Sequence, residues 1–241
     1  MNTLVIANQK GGVGKTTTAV NLSASLFAMK RRVLLVDLDP QANATTGSGI
    51  KKIQESEGSA LPSWEEDKTQ IKASKAGGYD VLPSGPILIA KEAELRAIEE
   101  RELQLDRLLQ QLENKYDYII IDCPPALNLL TINGLRAANN LLVPMQCEYY
   151  ALEGLAALLQ TVDQLNERTG HTLELGAIVR TMFDPRNKLT KLITEELITH
   201  FPEALFSTVI PRNVRLAEAP SFGTVSYTHL RAHETEAGRV C

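Results

Sequence analysis

A chain of 241 residues, 44% hydrophobic and 22% charged, has the make-up of a globular protein with a sizeable core, and its length fits one α/β domain. A net charge of −4 leaves any nucleic-acid binding to a local basic patch, and no apolar run approaches a membrane span. Cys123, Cys147 and Cys241 are odd in number, far apart and without a C-x-x-C pairing, which points to reduced thiols and a cytoplasmic setting rather than to disulfides, zinc or an iron–sulfur cluster.

The first expected element is a strand over the β-branched, apolar run Thr3–Ala7, read as a buried strand and not as a leader peptide. It is followed by Lys10-Gly11-Gly12-Val13-Gly14-Lys15-Thr16-Thr17 and then by a helical pattern with Ala19, Leu22, Leu26 and Met29 on one face. Strand, glycine-rich turn and helix are the context that a phosphate-binding loop requires. Glycines let successive backbone N–H groups converge on an anion, and the helix adds its positive N-terminal end. Lys15 is placed to neutralise β- and γ-phosphates, and the Thr16 hydroxyl to ligate Mg²⁺. The pattern G-x-x-x-x-G-K-[ST] asks for glycine at position 9, where this chain has Gln9 and then a second lysine, Lys10. Since Lys15 serves the chain's own phosphates, Lys10 at the mouth of the loop is available to reach across a dimer interface.

Further strands are expected at Val33–Val36, ending in Asp37, at Tyr118–Ile121, ending in Asp122, and at Leu141–Pro144, Ala177–Val179 and Thr208–Ile210. Helical patterns such as Ala151–Glu167 and Lys188–Thr199 lie between them. Continuous apolar strands alternating with helices predict a P-loop NTPase-type α/β fold, a mostly parallel, doubly wound sheet with helices on both faces. Ligands of such sheets bind at the carboxyl ends of the strands, where the phosphate loop, Asp37, Asp39 and Asp122 all fall. Asp122 suits the surroundings of Mg²⁺, and either Asp37 or Asp39 can orient water or metal, or cap a helix. The polar stretch Lys51–Gly78, with Pro62 and Trp64, reads as a surface excursion, and Lys91–Asn114 as one amphipathic helix carrying Leu95, Ile98, Leu105, Leu109 and Leu112 onto the sheet. The end of the chain, Ser226–Cys241, lacks an amphipathic pattern. Its His229 and His233 have i, i+4 spacing without the glutamate of H-E-x-x-H, so an exposed tail is expected rather than a metal site.

Five segments together carry more than the loop alone: Asn8–Thr18, Val36–Gln41, Ile121–Pro125, Gln146–Gly154 and Ile210–Ser221. In them the chain resembles the ParA/Soj branch of the deviant Walker-A ATPases, whose wider family includes MinD and the nitrogenase iron protein. The resemblance implies a partition ATPase that binds ATP and Mg²⁺, dimerises on ATP, coats nonspecific double-stranded DNA and is discharged by a ParB-like partner. It implies that Lys10 contacts the nucleotide of the opposite subunit, and that Gly11, Gly12, Val13, Gly14, Lys15, Thr16 and Thr17 hold phosphate and metal. Asp39 then positions the attacking water, Asp122 is the Walker-B acid, and Pro211 and Asn213 lie against adenine. Arg186 matches an arginine of nonspecific DNA binding. Arg212 and Arg215 join it in residues 180–215, where Arg180, Arg186, Lys188, Lys191, Arg212 and Arg215 outnumber Asp184, Glu195, Glu196 and Glu203. The expected organisation is an ATPase domain over 1–223, variable over 51–78, followed by an atypical tail over 224–241 that departs from the family's closing strand and helix and is disordered or derived from a truncation. The expected location is cytoplasmic and nucleoid-associated, with no membrane partner. Three rival readings use parts of the same pattern. A MinD-like membrane regulator needs an amphipathic C-terminal helix, an iron–sulfur reductase needs paired cysteines, and ParA-like positioning of another cellular cargo uses identical chemistry.

Overall fold

The computed structural model describes residues 2–53, 71–213 and 216. Runs of β-branched and aliphatic residues form the centre of the molecule because a strand apolar on both faces is stable only when covered on both. In chain order the elements are β1 (Asn2–Ile6), α1 (Lys15–Ala28), β2 (Val33–Asp37), α2 (Asn43–Gly47), β3 (Lys72–Ala73), β4 (Asp80–Leu82), α3 (Ile87–Leu95) and α4 (Gln104–Gln111). There follow β5 (Tyr118–Asp122), α5 (Leu129–Arg136), β6 (Asn140–Gln146), α6 (Ala151–Thr169), β7 (Glu174–Phe183), α7 (Lys188–His200) and β8 (Leu205–Pro211).

The strands form one eight-stranded sheet in the order β3-β4-β2-β5-β1-β6-β7-β8. Every pairing is parallel except β3 with β4. Alternate side chains feed two cores. Leu34, Val36, Ile119, Ile121, Leu141 and Val143 meet Leu105 and Leu109 of α4, Leu155 and Leu158 of α6 and Leu197 of α7. Val33, Leu35, Ile120 and Leu142 meet Ala19, Val20 and Ala24 of α1 on the opposite face. The doubly wound, mostly parallel α/β architecture is therefore as expected. The connection leaving β1 runs to β2 on one side of it, and the connection leaving β5 runs to β6 on the other. Crossovers diverging from adjacent strands open a crevice at their carboxyl ends.

Three local features differ from the sequence reading, and two helix caps add to it. The buried face of α1 is Ala19, Val20, Ser23 and Ala24, while Met29 is 66% exposed, because small side chains let the helix lie close on the sheet. The helix expected over 91–114 is two helices broken at 96–103, with Glu100 at φ 52°. The break lets α3 place Leu88 and Leu95 against Leu130 of α5 while α4 sends Leu105, Leu108 and Leu109 into the main core, and it leaves Ile98 outside. The stretch read as a surface excursion ends in the short edge strand β3, and β4 behind it adds a further parallel strand. Finally, α5 and α7 begin on asparagine caps, Asn128 and Asn187, whose side chains accept from Thr131 N and Leu189 N. Pro62, Trp64, Arg215, His229, His233, Cys241 and the tail from 224 onward lie outside the described residues.

Candidate functional site

The turn from β1 into α1 is shaped by its neighbours as well as by its glycines. Asn8 Nδ2 donates to Pro144 O (2.9 Å) and its Oδ1 accepts Lys10 N (2.9 Å), anchoring the loop entrance to β6. Thr181 Oγ1, at the end of β7, donates to Val13 O (2.8 Å). Gly12 and Gly14 have φ of 74° and 91°, a conformation that side chains disfavour, and a Cβ added at Gly11 or Gly12 would meet nothing within 4 Å. The loop thus presents open space over backbone N–H groups at the start of a 14-residue helix, the geometry of an anion cradle. Lys15 is buried behind it and donates to Lys10 O (3.0 Å). Desolvation pulls the Lys15 ammonium below its ordinary pKa, opposed chiefly by the negative charge of Asp122.

Asp122 and Asp37 end adjacent strands and face each other in register. Both are buried. Desolvation, and then the charge of Asp37, raise the Asp122 carboxyl well above the usual carboxylate range. The Thr16 hydroxyl is the neighbour that most favours its charged form, yet neither Asp122 oxygen accepts a well-formed hydrogen bond from any described residue. An orphaned carboxylate beside a hydroxyl and an ammonium is costly unless a cation completes it. The donor set fits Mg²⁺, a hard cation that binds through one or two protein oxygens and fills its octahedron with water and substrate phosphate. Among the described residues no group of three or more His, Cys, Asp or Glu could hold a metal by itself.

Asp37 is pushed up to about 6, mainly by burial, against the lowering effect of Thr45's hydroxyl and amide. Its two oxygens are occupied: Oδ1 accepts Asp39 N (3.1 Å), and Oδ2 accepts Thr45 N (2.8 Å) and Thr45 Oγ1 (2.7 Å). Asp37 therefore ties the loop after β2 to the first turn of α2 and has no oxygen directed at a ligand. Asp39 is half-buried, with Oδ1 accepting Gln41 N (2.9 Å), and it lies close enough to Lys15 and Asp122 to act on both electrostatically. Of the two acids left open by sequence, Asp39 is the more exposed.

Lys10 forms an ion pair with Glu148, the two side chains 41% and 45% exposed. Pro211 and Asn213 line a cavity of about 440 Å³ together with Gly12, Gly14, Thr17, Thr18 and Met182. That cavity touches Gly12 and Gly14 of the phosphate loop directly, as the nucleoside end of a ligand requires, and Pro211 and Asn213 also line the adjoining groove of about 620 Å³ that runs from Thr17 and Thr18 along α1 to Phe206. Met182 holds φ 48° at the cavity wall, a conformation rare for a residue other than glycine. Arg212 borders the same cavity and shares a polar hollow of about 220 Å³ with Glu148, Asp184 and Asn187.

Arg186 is 88% exposed and clasps Asp184 through Nε (3.0 Å) and Nη2 (2.9 Å), which holds the Asp184 carboxyl down at about 2. Lys188 and Lys191 are exposed on α7, whereas Arg180 is buried, donates to Phe206 O (3.0 Å) and stacks over Phe183, so it leaves the basic patch inferred from sequence. Cys123 and Cys147 are buried free thiols, raised above their ordinary pKa by desolvation, and among the described residues no helix is long and apolar enough to cross a membrane. Sequence reading gave no role to Thr181 and Met182, whose signal was position near the carboxyl end of β7, or to Glu148, which lay within the Gln146–Gly154 segment without being singled out.

Comparison with known proteins bears on most of the chain. A family model described as an AAA domain matches residues 1–175. The chain is 46% identical over 222 residues to the chromosome partitioning protein ParA of Myxococcus xanthus, covering 91% of this chain and 78% of that one. It is 47% identical over 222 residues to the sporulation initiation inhibitor protein Soj of Bacillus subtilis, covering 91% and 88%. Among solved structures it resembles cobyrinic acid a,c-diamide synthase from Mycobacterium smegmatis, with bound ATP analogue and magnesium, at a TM-score of 0.80 and 33% identity, covering 92% of this chain and 93% of that one.

Proposed function

Because the chain belongs to the ParA/Soj family of partitioning ATPases, we propose that it binds Mg-ATP in the crevice between β1 and β5, dimerises on it, and binds DNA without sequence preference as the dimer. The observation that carries the reading is the orphaned carboxylate of Asp122, set beside Lys15 and Thr16 beneath an open glycine loop. The ATP analogue and magnesium bound by the Mycobacterium smegmatis neighbour support it. Thr16 and Asp122 would hold Mg²⁺, and the ion would supply neutralisation of phosphate charge.

The chain's own residues do the rest. Gly11–Thr17 donate backbone N–H groups to the phosphates, Lys15 neutralises the β- and γ-phosphates, and Pro211 and Asn213 flank the adenine. Phosphoryl transfer needs positioning and charge stabilisation more than covalent chemistry, and Asp39 orients the attacking water. Lys10 reaches the nucleotide of the second copy, so the complete cation set exists only in the dimer and the γ-phosphate becomes the sensed group. Arg186 and Arg212, with Arg215 outside the described residues, contribute phosphate contacts that a dimer doubles. A ParB-like partner stimulates a slow intrinsic hydrolysis. Residues 1–223 act as the ATPase domain, and the dimer resides on the nucleoid.

The test is retention on double-stranded DNA with ATP, ADP and no nucleotide at two salt concentrations. The reading expects retention with ATP alone, weakening steeply at the higher salt. Equal retention in all three nucleotide states, or none with ATP at low salt, overturns it.

A further inference from the structure

Asp39 lies beyond the end of β2, which stops at Asp37. A carboxylate that must orient a water is sensitive to placement, since a shift of about 1 Å costs on the order of a hundredfold in rate. A loop residue needs an external hold to meet that demand. The structure supplies one from three buried side chains on three different segments. Asp37 Oδ1 accepts Asp39 N (3.1 Å), and Asp37 Oδ2 accepts Thr45 Oγ1 (2.7 Å) and Thr45 N (2.8 Å). Thr45 Oγ1 in turn accepts Ser84 N (2.8 Å), and Ser84 Oγ donates to Asp39 O (2.6 Å).

The bonds close a ring. They grip Asp39 from both sides, by its N–H and by its carbonyl, while Gln41 N holds its carboxylate. Asp37, Thr45 and Ser84 are 1%, 0% and 0% exposed, so water does not compete for these bonds, and a fully satisfied buried network is rigid. The outer side is braced as well. Ser84 O accepts Ile53 N (3.1 Å), and a Cβ added at Gly85 would fall 2.1 Å from Ile53 O, leaving that backbone contact no slack.

We propose that Thr45 and Ser84 are positioning residues for hydrolysis: with Asp37 they hold the Asp39 backbone so that its carboxylate meets the attacking water. Neither lines the cavity assigned to the nucleotide. The inference rests on the reading of Asp39 given above, and it extends the site to α2 and to the loop after β4, where no phosphate-loop pattern points.

The experiment uses the full chain with Thr45→Val, Thr45→Ser and Ser84→Ala, each alone and combined with Asp39→Ala, and measures kcat, KM and equilibrium ATP binding. Thr45→Val and Ser84→Ala are expected to lower kcat about tenfold, the scale of one lost hydrogen bond acting through a misplaced group. ATP affinity should stay within about twofold, and Thr45→Ser, which keeps the hydroxyl, should restore kcat to within about twofold of wild type. In the Asp39→Ala background neither variant should lower the residual rate further. A merely structural role would instead weaken ATP binding in step with kcat and add to Asp39→Ala, and either result overturns the proposal. An unchanged kcat in Ser84→Ala, with Asp39→Ala impaired, overturns it alone. An unchanged rate in Asp39→Ala itself removes the parent reading and this one with it.

Discussion

Replacing Lys10 by alanine should separate folding from assembly, because its two proposed environments differ so much in exposure. In the single chain Lys10 pairs with Glu148 at the surface, the two side chains 41% and 45% exposed. Pairs of this kind contribute about 0–1 kcal/mol, since solvent screens them and ordering two long side chains is costly. Lys10→Ala should therefore leave the melting temperature of the monomer within a degree or two, roughly the effect of a few tenths of a kcal/mol. In the ATP dimer the same ammonium would sit against polyphosphate at an interface closed to water. Truncating one partner of a buried charge pair there costs about 2–5 kcal/mol, or roughly 30- to 5,000-fold in the dimer dissociation constant. Size-exclusion chromatography with ATP, run over a concentration series with thermal melts alongside, reads both quantities. Lys10→Ala that still dimerises with ATP at wild-type concentrations refutes the trans assignment, and one that unfolds refutes the estimate of the cis pair.

The other perturbations act on different parts of the same crevice. Asp122→Asn removes a buried carboxylate that lacks a hydrogen-bond partner, so it should raise the melting temperature of the nucleotide-free protein while abolishing the enhancement of ATP binding by Mg²⁺; isothermal titration with and without the metal checks this. Burial holds Asp37 at about 6 and Asp122 raised, so the folded state binds protons more tightly than the unfolded one; stability should fall as pH rises from about 4 through about 6, and denaturant midpoints should show that decline flattened in Asp122→Asn. Arg186→Ala should weaken ATP-dependent DNA retention severalfold and lower the salt slope by about one, and Asp184→Asn, which frees the clasped guanidinium, should strengthen retention; filter binding over a salt series gives both signs. Leu105→Ala, fully buried on α4, should cost about 2–5 kcal/mol in a urea titration.

The parts of this molecule that sequence declares are those whose physics is local. A strand apolar on both faces and ending in aspartate, as β2 and β5 do, can only sit inside a covered parallel sheet with its acid at the carboxyl edge. The glycine loop carries its own turn chemistry, and Gly12 and Gly14 duly adopt positive φ. What escaped depends on distant partners. The leucine stripe over 91–114 stays in helical phase, and nothing local announces the break at Glu100, which exists because α3 and α4 serve different neighbours. Leu22 and Leu26 suggested a large apolar face for α1, but the sheet accepts the small side chains beside them. Ser84 and Thr45 resemble any turn or helix hydroxyl until β4 is seen beside β2.

Charge placement supplies the last step. A nucleotide triphosphate adds several negative charges to a crevice that already holds Asp37, Asp39 and Asp122, and Lys15 is the lysine buried among them. Lys10 could relieve that excess in cis only by turning inward. Its carbonyl already accepts the Lys15 ammonium (3.0 Å), while its own ammonium is paired with Glu148. That geometry brings Lys15 in while Lys10 pairs with Glu148, which supports the proposal that Lys10 serves a second copy. On that proposal Glu148 competes with the partner's nucleotide for Lys10. Glu148→Gln should release it and tighten the ATP dimer by up to about 1 kcal/mol, roughly fivefold, with no change in the affinity of the monomer for ADP. Sedimentation equilibrium with ATP measures the shift. A Glu148→Gln dimer weaker than wild type would mean that the carboxylate makes its essential contact across the interface and not within the chain.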